Sequence, residues 1–331
     1  MTQAVPTHVT AAIRGQAGLE FARIARPVPG PDDVLVRVHA VALNRADLGV
    51  LAGHMHGSIG GPGTVLGMEW AGEVVELGAR VTGHAIGDRV MGFGAGAFAE
   101  YTATDRGRVL PIPAGMDYPR AATLAVALFT MHDAVVTNGR LQRGESVLVQ
   151  GASSGVGLMA MRIARHLGAR QVIGSSTDPE RRARLTQFGA DLAIDTKDPG
   201  WPQRVLEATG GQGVDLVVDQ LSGATVSASL AATRVKGRIV NVGRLAGMKA
   251  EFDFDLHALR RIDYIGVTFR TRTADEVREI RRRMWDELGP AVADGTLSLP
   301  IAASFPFDRL GDAFELMKAN GHFGKIVVTL R

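Results

Sequence analysis

The sequence contains no cysteine among its 331 residues. This absence excludes disulfide bonds, zinc–thiolate sites, iron–sulfur clusters and thiol nucleophiles. A strong charge of one sign is also missing, because the net charge is only +3. The densest basic group, Arg281 to Arg283, is flanked by acidic residues, and we interpret it as the solvated face of a helix. We therefore expect no nucleic-acid partner.

Long hydrophobic runs are absent as well. The longest one extends from Ala121 to Phe129 and contains a threonine, whereas a membrane-spanning helix needs about 20 apolar residues. We therefore expect a cytoplasmic protein without a membrane partner. A hydrophobic fraction of 46% is enough to fill ordinary cores, and the length suggests about two domains.

The pattern of apolar residues changes along the chain. Residues 1 to about 120 favour short strands bounded by turn residues. From about residue 121, strand and helix patterns alternate, which predicts βαβ units around a doubly wound parallel sheet. The predicted strands of this part are 146–150, 170–174, 192–195, 214–219, 238–243 and 263–269. Near the end, Thr273 to Glu276 has the form of a capping box and predicts the start of a helix.

A glycine-rich turn is the most informative motif. The apolar run Ser146–Gln150 is followed by Gly151–Gly157 and then by a helical pattern that Gly168 ends. A strand, a glycine turn and a helix in this order place backbone N–H groups at a helix N-terminus, where they bind a pyrophosphate. The motif therefore predicts a nicotinamide dinucleotide site.

The residues after the next strand distinguish the two nicotinamide coenzymes. NAD-binding domains usually have an acidic residue there for the ribose hydroxyls. This chain instead has Ser175 and Ser176, followed by Arg181 and Arg182. Hydroxyl and guanidinium groups suit a 2′-phosphate, and we predict NADP(H). Asp178 is the competing feature, because a loop that folds back would bring its carboxylate to the ribose.

The same turn also fits the G-x-S-x-G nucleophile elbow of α/β-hydrolases, with Ser153 as the nucleophile. His257 or His322 would then complete a triad. Gly157, the β-rich first part of the chain and the missing acid all favour the dinucleotide interpretation.

At this point the chain resembles the medium-chain dehydrogenases/reductases, and more narrowly the zinc-free quinone oxidoreductases related to zeta-crystallin. The motifs that carry the resemblance are Asn44–Asp47, Gly67–Val74, Gly87–Val90, Gly151–Gly157 and Gly324–Val327. The resemblance implies an α/β fold with a GroES-like β-rich catalytic domain at 1–122 and 272–331. It places a Rossmann NADP(H)-binding domain at 123–271, with the substrate cleft between the two. It also implies a homodimer that pairs the last Rossmann strand across the two protomers.

The resemblance also allows the zinc branch to be tested. Zinc-dependent members have a cysteine where this chain has Asn44 and a histidine where it has Met68, so only Glu69 of that ligand set is left. Amide and thioether groups bind zinc poorly, and we expect no metal. The substrate must then accept hydride without a Lewis acid.

The implied activity is NADPH-dependent hydride transfer to a small molecule, either a quinone or an α,β-unsaturated carbonyl compound. In both, the added charge reaches an oxygen that hydrogen bonds stabilise. Two alternatives stay open: an enoyl or acrylate-type double-bond reductase, and a protein that binds NADPH without catalysis.

Site residues follow from the motifs and from the resemblance. The candidate catalytic residues are Asn44, Met55 and Thr130; Met55 replaces a tyrosine of several relatives, and Thr130 is predicted to begin a helical stretch. The candidate cofactor-binding residues are Asn44, Thr130, Ser153, Ser154, Gly155, Val156, Ser175, Ser176, Arg181, Asn241, Val242, Gly243, Thr268, Phe269 and Lys325.

Overall fold

The computed structural model describes residues 6–57 and 59–330. The chain forms two compact units. Unit 1 comprises Met1–Val126 and Phe269–Arg331, and unit 2 comprises Ala127–Thr268. Unit 2 is therefore inserted, in sequence, between the two parts of unit 1.

The strands of the described residues are β1 (His8–Arg14), β2 (Leu19–Ala25), β3 (Asp33–Ala42), β4 (Glu69–Leu77), β5 (Arg89–Phe93), β6 (Tyr101–Asp105), β7 (Val109–Pro111), β8 (Ser146–Gln150), β9 (Gln171–Ser175), β10 (Leu192–Ile194), β11 (Val214–Asp219), β12 (Thr233–Asn241), β13 (Asp263–Gly266), β14 (Ile301–Pro306) and β15 (Lys325–Thr329). The α-helices are α1 (Arg45–Leu51), α2 (Tyr118–Ala121), α3 (Ala125–His132), α4 (Gly155–His166), α5 (Pro179–Ala183), α6 (Trp201–Ala208), α7 (Val226–Ala232), α8 (Phe254–Arg260), α9 (Ala274–Ala293) and α10 (Leu310–Lys318).

Unit 1 is built on a mostly antiparallel sheet. Its strands lie in the order β14-β15-β3-β4-β5-β7, β6 also pairs with β3, and β1 and β2 form a separate hairpin. Trp70, Phe98 and Phe314 pack in its apolar core. The sheet brings the first residues of β4 and β15 near the end of β3, and these strand ends carry the polar groups described below.

Unit 2 is a six-stranded parallel sheet in the order β10-β9-β8-β11-β12-β13. Helices connect most of its strands, as the alternating pattern predicted, so the α/β class with a GroES-like part and a doubly wound Rossmann part is confirmed. Strand β8 is buried along its whole length. From β8 the chain builds the sheet first to one side, with β9 and β10, and then to the other side, with β11 to β13. Doubly wound sheets bind their ligands beside the strand at which this order reverses, here β8.

Two predicted strands have different bounds in the structure. The strand predicted at 238–243 extends from Thr233 to Asn241, because Thr233 pairs with Val214 across an irregularity in register. The strand predicted at 263–269 ends at Gly266, which pairs with Asn241, the last residue of the neighbouring strand. The N–H of Val267 still donates to the carbonyl oxygen of Asn241 at 3.1 Å, and β12 ends there, so the strand does not continue over the predicted residues 267–269.

Two helical predictions are also corrected. Thr130 lies inside α3, which begins at Ala125, and does not start the helix. The local sequence gives no capping signal there, because the backbone N–H of Val126 donates to the distant carboxylate of Glu69 at 2.8 Å. Arg281 is not solvated as predicted, since its Nε donates to the carbonyl oxygen of Val109 at 2.7 Å.

One helical stretch, Tyr118–Asn138, has the length and composition of a membrane span, with a mean hydropathy of 1.2 in its most apolar window. That window is 72% buried inside the protein, as is usual for a core helix. The cytoplasmic location stays a prediction.

Candidate active site

The glycine turn of unit 2 has the geometry of a phosphate site. Gly151 leaves β8 with a φ of +69°, which favours glycine. A Cβ added at Gly157 would lie 2.6 Å from the carbonyl oxygen of Gly151, so the first turn of α4 lies against the backbone of this turn. Ser154 caps α4 by accepting from the N–H of Gly157 at 3.1 Å. The N–H groups of the first turn and the helix dipole favour an anion.

Ser175 holds this turn in place. Its buried hydroxyl donates to Oε1 of Gln150 at 2.6 Å and accepts from the N–H of Gly151 at 3.0 Å. Ser176 donates instead to the hydroxyl of Ser153 at 3.1 Å. This contact gives Ser153 a neighbouring serine, where a hydrolase nucleophile needs a histidine base. The geometry therefore favours a turn residue over a nucleophile.

The two arginines after β9 differ in their bonds. Arg182 Nη1 donates to the carbonyl oxygen of Ser176 and to Asp195, each at 2.9 Å. The Nε of Arg181 lies 3.9 Å from the carboxylate of Asp178, which is beyond hydrogen-bond distance. Asp178 itself caps α5 through the N–H of Arg181, at 2.9 Å. Both bonds of Arg182 use Nη1, so Arg181 has more of its five N–H donors available for a phosphate than Arg182 has.

Polar side chains that the sequence analysis missed lie at the ends of β11 and β12. Asp219 is buried, and burial raises the pKa of its carboxyl. Its Oδ1 accepts from the N–H groups of Leu221 and Ser222, each at 2.9 Å. Ser222 in turn accepts from the predicted site residue Asn241. The other two predicted site residues there, Val242 and Gly243, each donate their backbone N–H to the carbonyl oxygen of Asp219.

Unit 1 contains a buried ion pair beside the most prominent candidate residue. The ammonium of Lys325 donates to Glu69 Oε2 at 2.6 Å and to Asn44 Oδ1 at 2.9 Å. The Asn44 amide also donates to Glu69 Oε2 at 3.1 Å and to the carbonyl oxygen of Ala42 at 3.3 Å. The two charged side chains are 6% and 0% exposed. Asn44 and Lys325, which are distant in sequence, are thus brought together; the pairing of Lys325 with Glu69 was missed.

A second carboxyl group lies next to this cluster. Asp47 Oδ2 accepts from the N–H of Asn44 at 2.7 Å and completes a capping box on α1. Its Oδ1 is buried without a hydrogen-bond partner. Burial raises the pKa of Asp47 to about 7. The negative charge of Glu69 also raises this pKa, whereas the positive charge of Lys325 lowers it. The N-x-x-D spacing of Asn44 and Asp47 was the sequence signal for this box.

The raised pKa makes the protein's stability depend on pH. The folded state keeps the Asp47 proton up to about pH 7, whereas the unfolded chain loses it near pH 4. This contribution is therefore complete below about pH 4 and is lost as pH rises towards 7. Between about pH 4.5 and about pH 8, the free energy of unfolding of wild type in urea should fall by about 3 kcal/mol relative to that of Asp47→Asn. Parallel pH profiles of the two proteins would contradict this, and Asp312→Asn on α10 is the control.

The remaining predicted site residues are spread over both units. Met55 is 60% exposed on the loop after α1, and Thr130 is half-buried in α3. Gly155 and Val156 begin α4. Thr268 ends unit 2. Phe269 begins the second part of unit 1, where its ring packs edge-on against Phe93 at 5.6 Å. Their roles stay predictions.

The donor set in unit 1 does not suit zinc. Asn44 Oδ1 and Glu69 Oε2 both accept from the Lys325 ammonium, and Glu69 Oε1 accepts from the Val126 N–H. A metal ion would have to displace a buried cation and would find oxygen donors without thiolate or imidazole. Among the described residues no group of three His, Cys, Asp or Glu side chains is placed to hold a metal.

Family comparisons agree with this architecture. Residues 30–114 match the alcohol dehydrogenase GroES-like domain, and residues 155–286 match the zinc-binding dehydrogenase family. The chain belongs to the medium-chain dehydrogenase/reductase superfamily.

Curated relatives include much longer proteins. A phenolphthiocerol/phthiocerol polyketide synthase polypeptide of Mycobacterium tuberculosis is 31% identical over 94% of this chain. The reducing polyketide synthase FUB1 of Gibberella fujikuroi is 30% identical over 90% of this chain. This chain spans only 14% and 12% of their respective lengths.

Solved structures match over nearly the whole chain. A probable oxidoreductase from Mycobacterium abscessus is 29% identical with a TM-score of 0.84, and the match covers 98% of this chain and 100% of that one. The mycobacterial protein Rv1454c, solved in complex with NADPH, is 25% identical with a TM-score of 0.84, over 97% and 99% of the two chains.

Proposed function

We propose that this oxidoreductase uses NADPH to reduce a quinone or an α,β-unsaturated carbonyl compound without zinc. The observation that carries the proposal is the close approach of the Gly151 turn to the first turn of α4 at Gly157, with Ser154 as cap. This arrangement favours a pyrophosphate. The NADPH complex of the related mycobacterial protein supports the choice of coenzyme. The nicotinamide, when bound, supplies the hydride.

Arg181 is the residue that we propose to bind the 2′-phosphate of NADPH. A charge-assisted hydrogen bond of this kind contributes about 1.5–3 kcal/mol, so Arg181→Ala should raise the KM for NADPH about 10- to 100-fold. The KM for NADH should stay unchanged, because NADH lacks that phosphate. Steady-state kinetics with both coenzymes provide the measurement.

Arg182→Ala is the matched control. This side chain binds Ser176 and Asp195, so its loss should affect both coenzymes alike. An unchanged ratio of NADPH to NADH efficiency in Arg181→Ala would contradict the assignment of the phosphate site.

The substrate class follows from the donors present in unit 1. Asn44, Asp47, Glu69 and Lys325 form one cluster in unit 1. Its only cation among the described residues is the ammonium of Lys325, which is already bonded to Glu69. A substrate whose oxygen takes up charge gradually, through conjugation, needs the least stabilisation. We therefore propose that hydride adds to a conjugated system and that water supplies the proton. A panel of quinones, enones and acrylates with NADPH tests this proposal, and no turnover of any of them would reject it in favour of binding without catalysis.

The polyketide synthase relatives favour a second candidate, an enoyl-thioester reductase. The structure of CurK enoyl reductase, which is 24% identical to this chain, shares its fold with a TM-score of 0.84. Enoyl thioesters belong to the same chemical class, since their double bond is conjugated to a carbonyl group. Comparing kcat/KM for an enoyl thioester and a quinone separates the two candidates.

We also propose that the protein forms a homodimer through β13. This strand lies at the edge of its sheet, and an edge strand offers unpaired backbone groups to a second strand. Beside it, Phe252 packs on Tyr264 and on Phe254, whose side chain is 76% exposed. Such an exposed aromatic group is typical of an interface.

Phe254→Asp should therefore weaken the dimer, because a carboxylate would be buried in an apolar contact. Light scattering after gel filtration should show dimer for wild type and monomer for the variant at micromolar concentration. Val28→Asp, which changes an exposed valine of unit 1, should stay dimeric. A monomeric wild type would reject the proposal.

A further inference from the structure

Stability alone does not explain why unit 1 contains a buried ion pair. Burying an ammonium and a carboxylate costs several kcal/mol of desolvation, and well-packed apolar residues often stabilise a protein equally well or better. Lys325 and Glu69 are nevertheless almost completely excluded from water. Their positions, at the first residues of β15 and β4, bring both charges to the amide of Asn44. This convergence indicates a function for the charges themselves.

The ammonium determines which way the Asn44 amide faces. A lysine can only donate, so Asn44 must present Oδ1 to Lys325 and Nδ2 to Glu69. Both hydrogens of Nδ2 are then engaged, one by Glu69 and one by the carbonyl oxygen of Ala42. The Asn44 side chain therefore has one orientation, with a lone pair on Oδ1 that Lys325 does not use. The ammonium likewise keeps a third hydrogen beyond the two bonds to Asn44 and Glu69.

By the resemblance given above, zinc-dependent members carry metal ligands at the positions of Asn44 and Glu69. In this chain both side chains are bonded to Lys325 instead. The ammonium carries a fixed positive charge in a site from which water is excluded, where charge acts most strongly on nearby groups. The chain matches a family described as zinc-binding, but the side chains of its Asn44 and Glu69 do not suit zinc.

We propose that the ammonium of Lys325 is the resident cation of this site, in place of a metal ion, and that it positions Asn44 for the reaction. The inference rests on the proposed reductase function in one respect, namely that the reaction places negative charge on a substrate oxygen. Lys325 acts through Asn44 and is a positioning residue.

Two variants separate the charge from the packing. Lys325→Ala removes the ammonium and leaves space, and should lower kcat by about 100-fold, the usual loss for one preorganised electrostatic group. Ethylammonium ions should restore at least about 10-fold of that loss in a saturable way, as they refill the space with a donor of the same charge. The neutral pair Glu69→Gln with Lys325→Met keeps similar volumes and should fold, yet show the same loss of kcat.

The controls test the charge directly. Ethanol has a similar size and no charge, and it should not restore activity to Lys325→Ala. Lys318→Ala, on the exposed face of α10, should behave as wild type with and without the amine. Wild type should keep its full activity after dialysis against EDTA, and metal analysis should find no stoichiometric zinc. Full kcat in the neutral pair, equal rescue by ethanol, or an EDTA-sensitive wild type would each overturn the proposal.

A second readout does not depend on turnover. Ethylammonium should raise the Tm of Lys325→Ala in a concentration-dependent way and leave the Tm of wild type unchanged, because only the variant has the vacant site. An unchanged Tm of Lys325→Ala in ethylammonium would reject the proposal that this site holds a cation. A clear shift together with no turnover of any acceptor by wild type would reject the proposed function and leave the cation site standing.

Discussion

Gly157→Ala should weaken NADPH binding by at least about 30-fold, or about 2 kcal/mol. The added Cβ would lie 2.6 Å from the carbonyl oxygen of Gly151 and 2.7 Å from the Cα of Ala152. Both are backbone atoms of the phosphate turn, which cannot move without shifting the turn or the helix. Either movement separates the N–H groups of α4 from the turn that forms the anion site. Titration calorimetry with NADPH measures the loss.

Gly311→Ala is the matched control for this substitution. Gly311 also lies in a helix, α10, and its Cβ would meet only the Leu19 side chain at an ordinary distance of 3.8 Å. Alanine should therefore stabilise that helix by up to about 1 kcal/mol and leave NADPH affinity unchanged. If Gly157→Ala bound NADPH as tightly as Gly311→Ala, the glycine turn would not be the pyrophosphate site.

Lys325→Met should lower the free energy of unfolding by about 3–5 kcal/mol, because it leaves the carboxylate of Glu69 buried without its counter-charge. The further change Glu69→Gln should restore most of this loss. A glutamine accepts from the Val126 N–H as Glu69 does, and it carries no charge. Urea unfolding of the single and double variants measures the coupling between the two positions.

An exposed ion pair provides the comparison. Arg282 pairs with Glu279 and Asp286 on the solvent side of α9, where such contacts contribute little. Arg282→Met should have nearly the same free energy of unfolding as wild type. Equal destabilisation by Arg282→Met and Lys325→Met would show that burial of the Lys325–Glu69 pair has no special energetic weight.

Local patterns predicted the parts of the fold that local physics determines. The β8 strand, the glycine turn and the stop of α4 at Gly168 follow from periodicity and glycine spacing, and the structure has them there. The capping box of α9 also forms as predicted, with Glu276 Oε2 accepting from the N–H of Thr273 at 2.7 Å. In each case the interacting residues are close in sequence.

Features that depend on distant residues were not predictable in this way. The start of α3 was placed too late because its N-terminus is capped by Glu69, 57 residues away in sequence. The ion pair of Glu69 with Lys325 joins residues separated by 256 positions. Asp47 was overlooked because its significance lies in burial, which no local pattern indicates. The family resemblance drew attention to Asn44 and Lys325, whereas only the structure brought them together.

We propose above that NADPH bound at the glycine turn passes hydride to a conjugated acceptor in a site that needs no metal. The test follows the near-ultraviolet absorbance of NADPH in which both C4 hydrogens are replaced by deuterium, with an enone and EDTA present, and analyses the product by mass spectrometry. We expect one deuterium in the reduced product for each NADPH oxidised, at the same rate with and without EDTA. No oxidation of NADPH with any acceptor, or a rate that returns only when zinc is added, would contradict it.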